Sequence, residues 1–218
     1  MRRSRQMTTR LALLCTALVI SATFPASADQ PNLSLADRVE EDWVLVVDDT
    51  VSTDGPQLNT VMCPVGDLSQ PAVVLDINYR HVPSYQPGGL QVLGYGQAGI
   101  FNSNTVTTLP LSLANETIRW TQRMTLSGGQ VNYLIPAMSS TTWGTSTNNT
   151  VLLSFDSSAT SLSGYDPSSS ASNSGGAWKT QGLKSLTLVQ VRYYQGDTLL
   201  YTDSTSRPVD CTKSFTRP

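Results

Sequence analysis

One histidine, His81, and three glutamates, Glu40, Glu41 and Glu116, are all that 218 residues offer of the two commonest catalytic side chains. A metal centre built on several imidazoles is excluded. There is no G-x-S-x-G elbow, and any Ser-His-Asp arrangement rests on His81 alone. His81 stands between Arg80 and Val82-Pro83, just past a predicted strand end, and reads as a solvated loop residue. Glycoside hydrolysis needs two carboxyl groups facing each other across the scissile bond. Glu40 and Glu41 are neighbours, and neighbours on a strand point to opposite faces. They read as a charged strand start. No segment is long and apolar enough to span a bilayer.

Present instead is a leader. Arg2, Arg3, Arg5 and Arg10 precede the apolar run Leu11 to Phe24, and Pro25-Ala26-Ser27-Ala28 closes it with an A-x-A signal. This is the layout of a secretory signal peptide over residues 1–28, with the working domain from 29 to 218. Cys15 follows Leu13-Leu14 rather than a lipobox, and Ser4-Arg5-Gln6 after Arg2-Arg3 does not match a twin-arginine signal, so ordinary export is expected. The destination is the medium, or the periplasm and cell envelope. Cleavage removes four arginines and leaves ten Lys+Arg against sixteen Asp+Glu, a formal charge of −6. With no basic patch expected, nucleic acid is not an expected partner, and neither is insertion into a membrane.

Cys63 and Cys211 remain after cleavage, and an even count in an oxidising compartment reads as one disulfide. Closing so long a loop is worth about 4–5 kcal/mol in the chain-entropy model, less any strain.

Period-two alternation dominates the rest of the chain. Trp43, Leu45 and Val47 share a face between Asp42 and Asp48. Val73, Leu75, Ile77 and Tyr79 oppose Asp76, Asn78 and Arg80. Ile118, Trp120, Met124 and Leu126 oppose Thr117, Arg119, Thr121, Arg123 and Thr125. Ser127-Gly128-Gly129-Gln130 and Gln195-Gly196-Asp197 read as hairpin turns, and Pro87-Gly88-Gly89 turns the chain before Leu90. Strands are also predicted at 58–65, 131–135, 150–155 and 198–202. In Leu186–Tyr194 the apolar parity switches, which calls for a bulge or for cover on both faces. One short helix is expected over Asn32–Glu41. About nine strands with turn residues between them argue an all-β, two-sheet antiparallel sandwich. The Ser-rich stretch 156–176 lacks the apolar content for its own core and reads as a surface excursion, with Tyr165 and Trp178 available to pin it.

Sugar rings stack on exposed aromatics. Tyr85, Tyr95, Trp143, Tyr165 and Trp178 stand near turns and are the candidates, whereas Trp43 and Trp120 are assigned to the core. Asp76 interrupts an apolar strand, and with Asn78 and Arg80 it forms a polar row expected to be wetted. The predicted ligand-binding set is therefore Asp76, Asn78, Arg80, Tyr95, Trp143 and Trp178, with no catalytic residue. No cofactor is expected. The acidic loop Asp48–Gly55 carries oxygen ligands of the kind calcium takes, but without the EF-hand spacing, and a plain turn is the expectation.

The run Trp120–Tyr133, a strand from tryptophan through Gly128-Gly129 into a second strand, resembles the central hairpin of concanavalin A-like domains of the laminin-G type, and Val191-Arg192-Tyr193-Tyr194 is similar to their returning strand. This implies a jelly-roll sandwich. Over nearly the whole length after residue 28, the landmarks Glu41-Asp42-Trp43, Asn78-Tyr79-Arg80, Pro87–Val92, Arg119-Trp120 and Thr142-Trp143-Gly144 also resemble a family of uncharacterised secreted bacterial proteins. The E-x-D-x-x-E strand of concanavalin A-like glucanases is absent, and the metal ligand set of legume lectins has little counterpart here. The likeness therefore implies fold rather than activity. The expectation is a non-catalytic exported module that binds a polysaccharide or an envelope protein. The alternatives are a structural or matrix protein of the envelope, and a hydrolase or lyase with acids around Asp76, Tyr79 and Arg80.

Overall fold

The computed structural model describes residues 32–47, 58–66, 68–77, 90–106, 116–141, 144–176 and 183–210. All lie in the compact unit Pro31–Pro218. The expected leader 1–28, the acidic stretch 48–55, Asn78 to Gly89, Trp143, Trp178 and Cys211 lie outside the described residues. In chain order the elements are β1 (Arg38–Val47), β2 (Leu58–Met62), β3 (Ala72–Ile77), β4 (Leu90–Gly96), β5 (Gly99–Val106), β6 (Thr117–Ser127), β7 (Gln130–Ser140), β8 (Gly144–Thr147) and β9 (Leu153–Asp156). They continue with α1 (Pro167–Asn173), β10 (Gly175–Gly176), β11 (Leu183–Gln195), β12 (Thr198–Asp203) and β13 (Arg207–Pro208).

The fold is all-β, with two antiparallel sheets. The larger runs β12-β11-β1-β6-β7-β8, with β13 also on β11 and β9 also on β7; the smaller runs β10-β2-β3-β4-β5. Alternation decides what lies between them. From the large sheet come Val39, Trp43, Leu45, Ile118, Trp120, Met124, Leu126, Leu186, Leu188, Val191 and Tyr193; from the small sheet come Leu58, Met62, Val73, Leu75, Ile77 and Val92. Each such side chain removed from water contributes roughly 1.5–3 kcal/mol. A second cluster, Val61, Cys63, Ala72, Val74 and Leu93, lies on the other face of the small sheet with Tyr95 packed against it. That is why β2 and β3 are buried at every position.

The predicted hairpins form. Gly128 and Gly129 have φ of 59° and 78°, the left-handed conformation that a two-residue hairpin loop demands and glycine supplies without strain. The parity switch in β11 is a bulge: Asp42 pairs with Gln190 but Trp43 with Leu188, and the extra residue, Val189, is turned out. This keeps Leu186, Leu188, Val191 and Tyr193 all inside.

Two expectations are corrected. Residues 38–41 are strand, not helix, and Asn32 instead accepts from Ser34 in a short turn. The helix lies in the Ser-rich stretch, where Pro167 opens α1 and Asp166 caps it. That stretch is not a loose excursion. Leu162, Tyr165 and Ala171 are buried in the main core. It also finishes an edge: Gly175 and Gly176 pair with Asn59 and Leu58 of β2. Farther along β2, the Ser174 hydroxyl accepts from the Val61 N–H and the Ser170 hydroxyl donates to the Val61 carbonyl. Short hydroxyl side chains stand in for a neighbouring strand, which shields backbone groups that would otherwise recruit one.

Candidate functional site

The two neighbouring glutamates of β1 occupy opposite sides of the large sheet. Glu41 has the parity of Trp43 and Leu45 and is fully buried. Its Oε2 accepts from Trp43 Nε1 at 2.8 Å and from Gln122 Nε2 at 2.6 Å, and its Oε1 accepts from the Tyr165 hydroxyl. Gln122, on β6, in turn accepts from the Thr60 hydroxyl at 2.9 Å and the Tyr133 hydroxyl at 3.0 Å through Oε1. The cluster thus ties β1 and β6 to β2, β7 and the Ser-rich segment. Burial raises the Glu41 carboxyl above its ordinary 4.5, against the lowering effect of the bonds from Tyr165, Gln122, Trp43 and Ser170. Burial, with the Glu41 charge beside them, also pushes the Tyr133 and Tyr165 phenols well up. Sealed between the sheets, this carboxyl braces the core and touches no solvent. The reading of Glu40-Glu41 as a charged strand start is therefore corrected for Glu41.

Glu40 and Asp42 face outward into a lattice of arginines. Arg123 Nε lies 2.7 Å from Glu40 Oε1, and Arg192 Nη2 lies 3.0 Å from Glu40 Oε2. Arg192 also grips Asp42 with both Nη atoms, at 2.8 and 2.9 Å, in the paired geometry that guanidinium and carboxylate favour. Gln190 and Thr121 complete the Asp42 shell at 2.6 and 2.7 Å. Burial opposes the charge on Arg192, but Asp42 and Glu40 outweigh it and raise its pKa above the ordinary value. Arg38 stacks over the Tyr194 ring at 4.1 Å.

Beside this lattice, the outer face of the large sheet opens into a groove of about 430 Å³. Strand register builds it in two rows. Val44, Arg119, Ser139 and Thr145 lie side by side across β1, β6, β7 and β8; Asp42, Thr121 and Ala137 form the next row. Val189 and Arg192 line it from β11. The groove presents hydroxyls, a fixed guanidinium, a carboxylate and small apolar patches. Beneath it, on the core side, the Trp43 and Trp120 rings lie 6.1 Å apart and within 7° of parallel.

Of the predicted ligand-binding residues, the structure places two. Asp76 is 1% exposed rather than wetted, and accepts from the Asn59 amide across β2 and β3. The reason is that the Asp76 face of the small sheet is covered. Tyr95 is partly buried against the second cluster. Asn78, Arg80, Trp143 and Trp178 lie outside the described residues, as do Tyr79, His81, Tyr85 and the acidic loop 48–55. Tyr165, a candidate for an exposed aromatic, is buried and does pin the Ser-rich stretch. Cys63 is buried, and its predicted partner Cys211 is outside the described residues. Among the described residues no three His, Cys, Asp or Glu side chains are placed to hold a metal ion, and no helix is long and apolar enough to cross a membrane.

The outer arginines were not singled out from the sequence. Their signal was there: Arg119, Thr121 and Arg123 form the polar face of the cleanest predicted strand, and a run of that kind ordinarily reads as plain solvent-facing surface. Gln122 carried a sharper one, because it shares the parity of Trp120 and Met124. The chain matches no family model and no curated protein.

Proposed function

We propose that the protein is an exported, non-catalytic sandwich module of the concanavalin A-like, jelly-roll kind, which binds a polysaccharide or another cell-envelope component in the groove on the outer face of the large sheet. The groove itself is the observation that carries this reading. Its hydroxyl and charged side chains suit sugar hydroxyl groups, and Val44, Ala137 and Val189 suit the C–H faces of the rings. Hydrolysis finds little support there, because Glu40 and Asp42 are held by arginines and Glu41 is sealed in the core. A polysaccharide array probed with the purified protein, with and without calcium and with released sugar followed in parallel, tests the reading. Retention without turnover is expected; release of product would replace it with an enzyme.

A second reading, a structural protein of the envelope, draws on the sheet margins. Leu199 and Tyr201 are 51% and 39% exposed on β12, and Ile100 and Phe101 are 47% and 48% exposed on β5. Exposed apolar edge strands favour strand-to-strand contact with other proteins. Co-purification with an envelope protein that sugars do not displace would favour it.

A further inference from the structure

We infer that the groove selects an anionic polysaccharide, one bearing carboxylate groups, and that Arg119 is the residue that reads the charge. The inference rests on the polysaccharide reading above and narrows it.

The argument begins with charge distribution. Of the ten basic residues after the leader, four arginines, Arg38, Arg119, Arg123 and Arg192, stand on the outward face of the large sheet. Two carboxylates, Glu40 and Asp42, are threaded among them, and Asp197 reaches Arg38 from a fully exposed turn. This face is thus locally basic on a chain that is acidic as a whole. A neutral sugar has no use for that imbalance, whereas an acidic polymer would be drawn to it and repelled elsewhere.

Geometry then singles out Arg119. Arg192 is committed to Asp42 and Glu40, Arg123 to Glu40, and Arg38 to Asp197, Glu40 and the Tyr194 ring. Arg119 lines the groove, is exposed, and makes no ion pair among the described residues. It stands in register between Val44 and Ser139, with Thr145 one strand farther. A carboxylate on one sugar can meet the Arg119 fork with two parallel hydrogen bonds. The same ring's hydroxyls then face Ser139, Thr145 and Thr121, and its C–H face meets Val44 and Ala137. Asp42 limits how far an acidic chain can run toward β11. That leaves room for a charge at Arg119 and not beside Arg192.

Calorimetric titration of the purified protein with polygalacturonate and with its carboxyl-reduced, neutral counterpart tests this. The acidic polymer is expected to bind about tenfold tighter, which corresponds to about 1.4 kcal/mol. Arg119→Gln should erase that difference, costing the acidic polymer about tenfold more in affinity than it costs the neutral one. Lys184→Gln, the same charge change at an exposed residue that does not line the groove, should leave it intact. Both positions are exposed, so neither variant endangers folding. Equal binding of the two polymers would overturn the charge selection and leave the polysaccharide reading standing. Equal losses in the two variants would overturn the assignment to Arg119. Binding of neither polymer, together with silence across a polysaccharide array, would overturn both readings.

Discussion

The Tyr165 hydroxyl donates to the carboxyl of Glu41, a residue 124 positions earlier in the chain, in the middle of the core. Both residues are buried, Tyr165 to 5% exposure and Glu41 to none. One end of the bond is a central strand of the large sheet; the other is a serine-rich stretch with little apolar content of its own. The contact explains how such a stretch becomes ordered. Its anchoring comes from Leu162, Tyr165 and Ala171 entering a core built by other elements, and its hydroxyls complete the edge of β2.

Tyr165→Phe keeps the ring and its packing against Tyr193, whose centroid is 6.3 Å away, and removes the hydroxyl that donates to Glu41 and has Ser170 as its other partner. A hydrogen bond to a charged or strongly polar acceptor in a dry site is worth about 1.5–3 kcal/mol. The variant is expected to lose stability in that range by urea unfolding. Faster amide exchange should be concentrated in residues 156–176. A loss spread evenly over both sheets would show that Tyr165 does not anchor the segment.

The same carboxyl imposes a pH dependence. Burial holds Glu41 above 4.5 in the folded protein, while the unfolded chain titrates near the ordinary value. Between the two values the native state keeps a proton that the unfolded state has released. Its contribution to stability is complete below 4.5 and is lost as pH rises through the folded value. Glu41→Gln cannot ionise. The stability of the parent relative to that variant should therefore improve as pH falls from neutrality toward 4.5, read from paired urea midpoints. A difference that stays flat, or that moves the other way, would mean the carboxyl is held ionised by its donors.

Much of this architecture is written in residue parity. The core faces of β1 and β6, both glycine hairpins and the bulge in β11 follow from alternation and turn chemistry, which are local. What alternation does not carry is which side of a sheet is sealed. Asp76 and Asn59 look like wetted polar positions, yet the face they share is covered. Glu41 looks like the second of a charged pair until its parity with Trp43 is taken literally. The groove was harder still, because it depends on four strands lying in register, β1, β6, β7 and β8, and on Arg192 being drawn aside by Asp42. Those are long-range pairings that no window of sequence contains.

Phe101 and Gly94 offer a test of packing at the margin of the small sheet. The register between β4 and β5 shifts at Tyr95, and Phe101 is the residue left over. Its ring lies across Gly94, so close that a β-carbon there would come within 2.5 Å of it, and meets Phe155 edge-on at 5.7 Å. Gly94→Ala must push the ring aside and is expected to cost about 1–3 kcal/mol. In a Phe101→Ala background the same change should cost almost nothing. A double-mutant cycle on unfolding free energies gives the coupling directly. Additive costs would show that backbone freedom, not the ring, requires glycine at 94.

Trp43 and Trp120 lie in parallel planes, pair directly across β1 and β6, and are equally buried, at 1% and 2% exposure. Their indole nitrogens differ. Trp43 Nε1 donates to Glu41 at 2.8 Å, whereas Trp120 Nε1 has no hydrogen-bond partner among the described residues. Replacing either by Phe removes a similar apolar area and leaves a similar void, so the packing losses nearly cancel in the comparison. What remains is the polar difference. Trp43→Phe deprives a buried carboxyl of a donor, and Trp120→Phe removes a buried donor that was already unpaired. A bond to a charged or strongly polar acceptor is worth about 1.5–3 kcal/mol, and an orphaned buried donor costs about 1–3. Trp43→Phe is therefore expected to be the more destabilising by at least about 2 kcal/mol in urea unfolding. Equal losses would mean that the Trp43 bond to Glu41 contributes nothing net, and that the buried carboxyl is sustained by its other partners, Tyr165, Gln122 and Ser170.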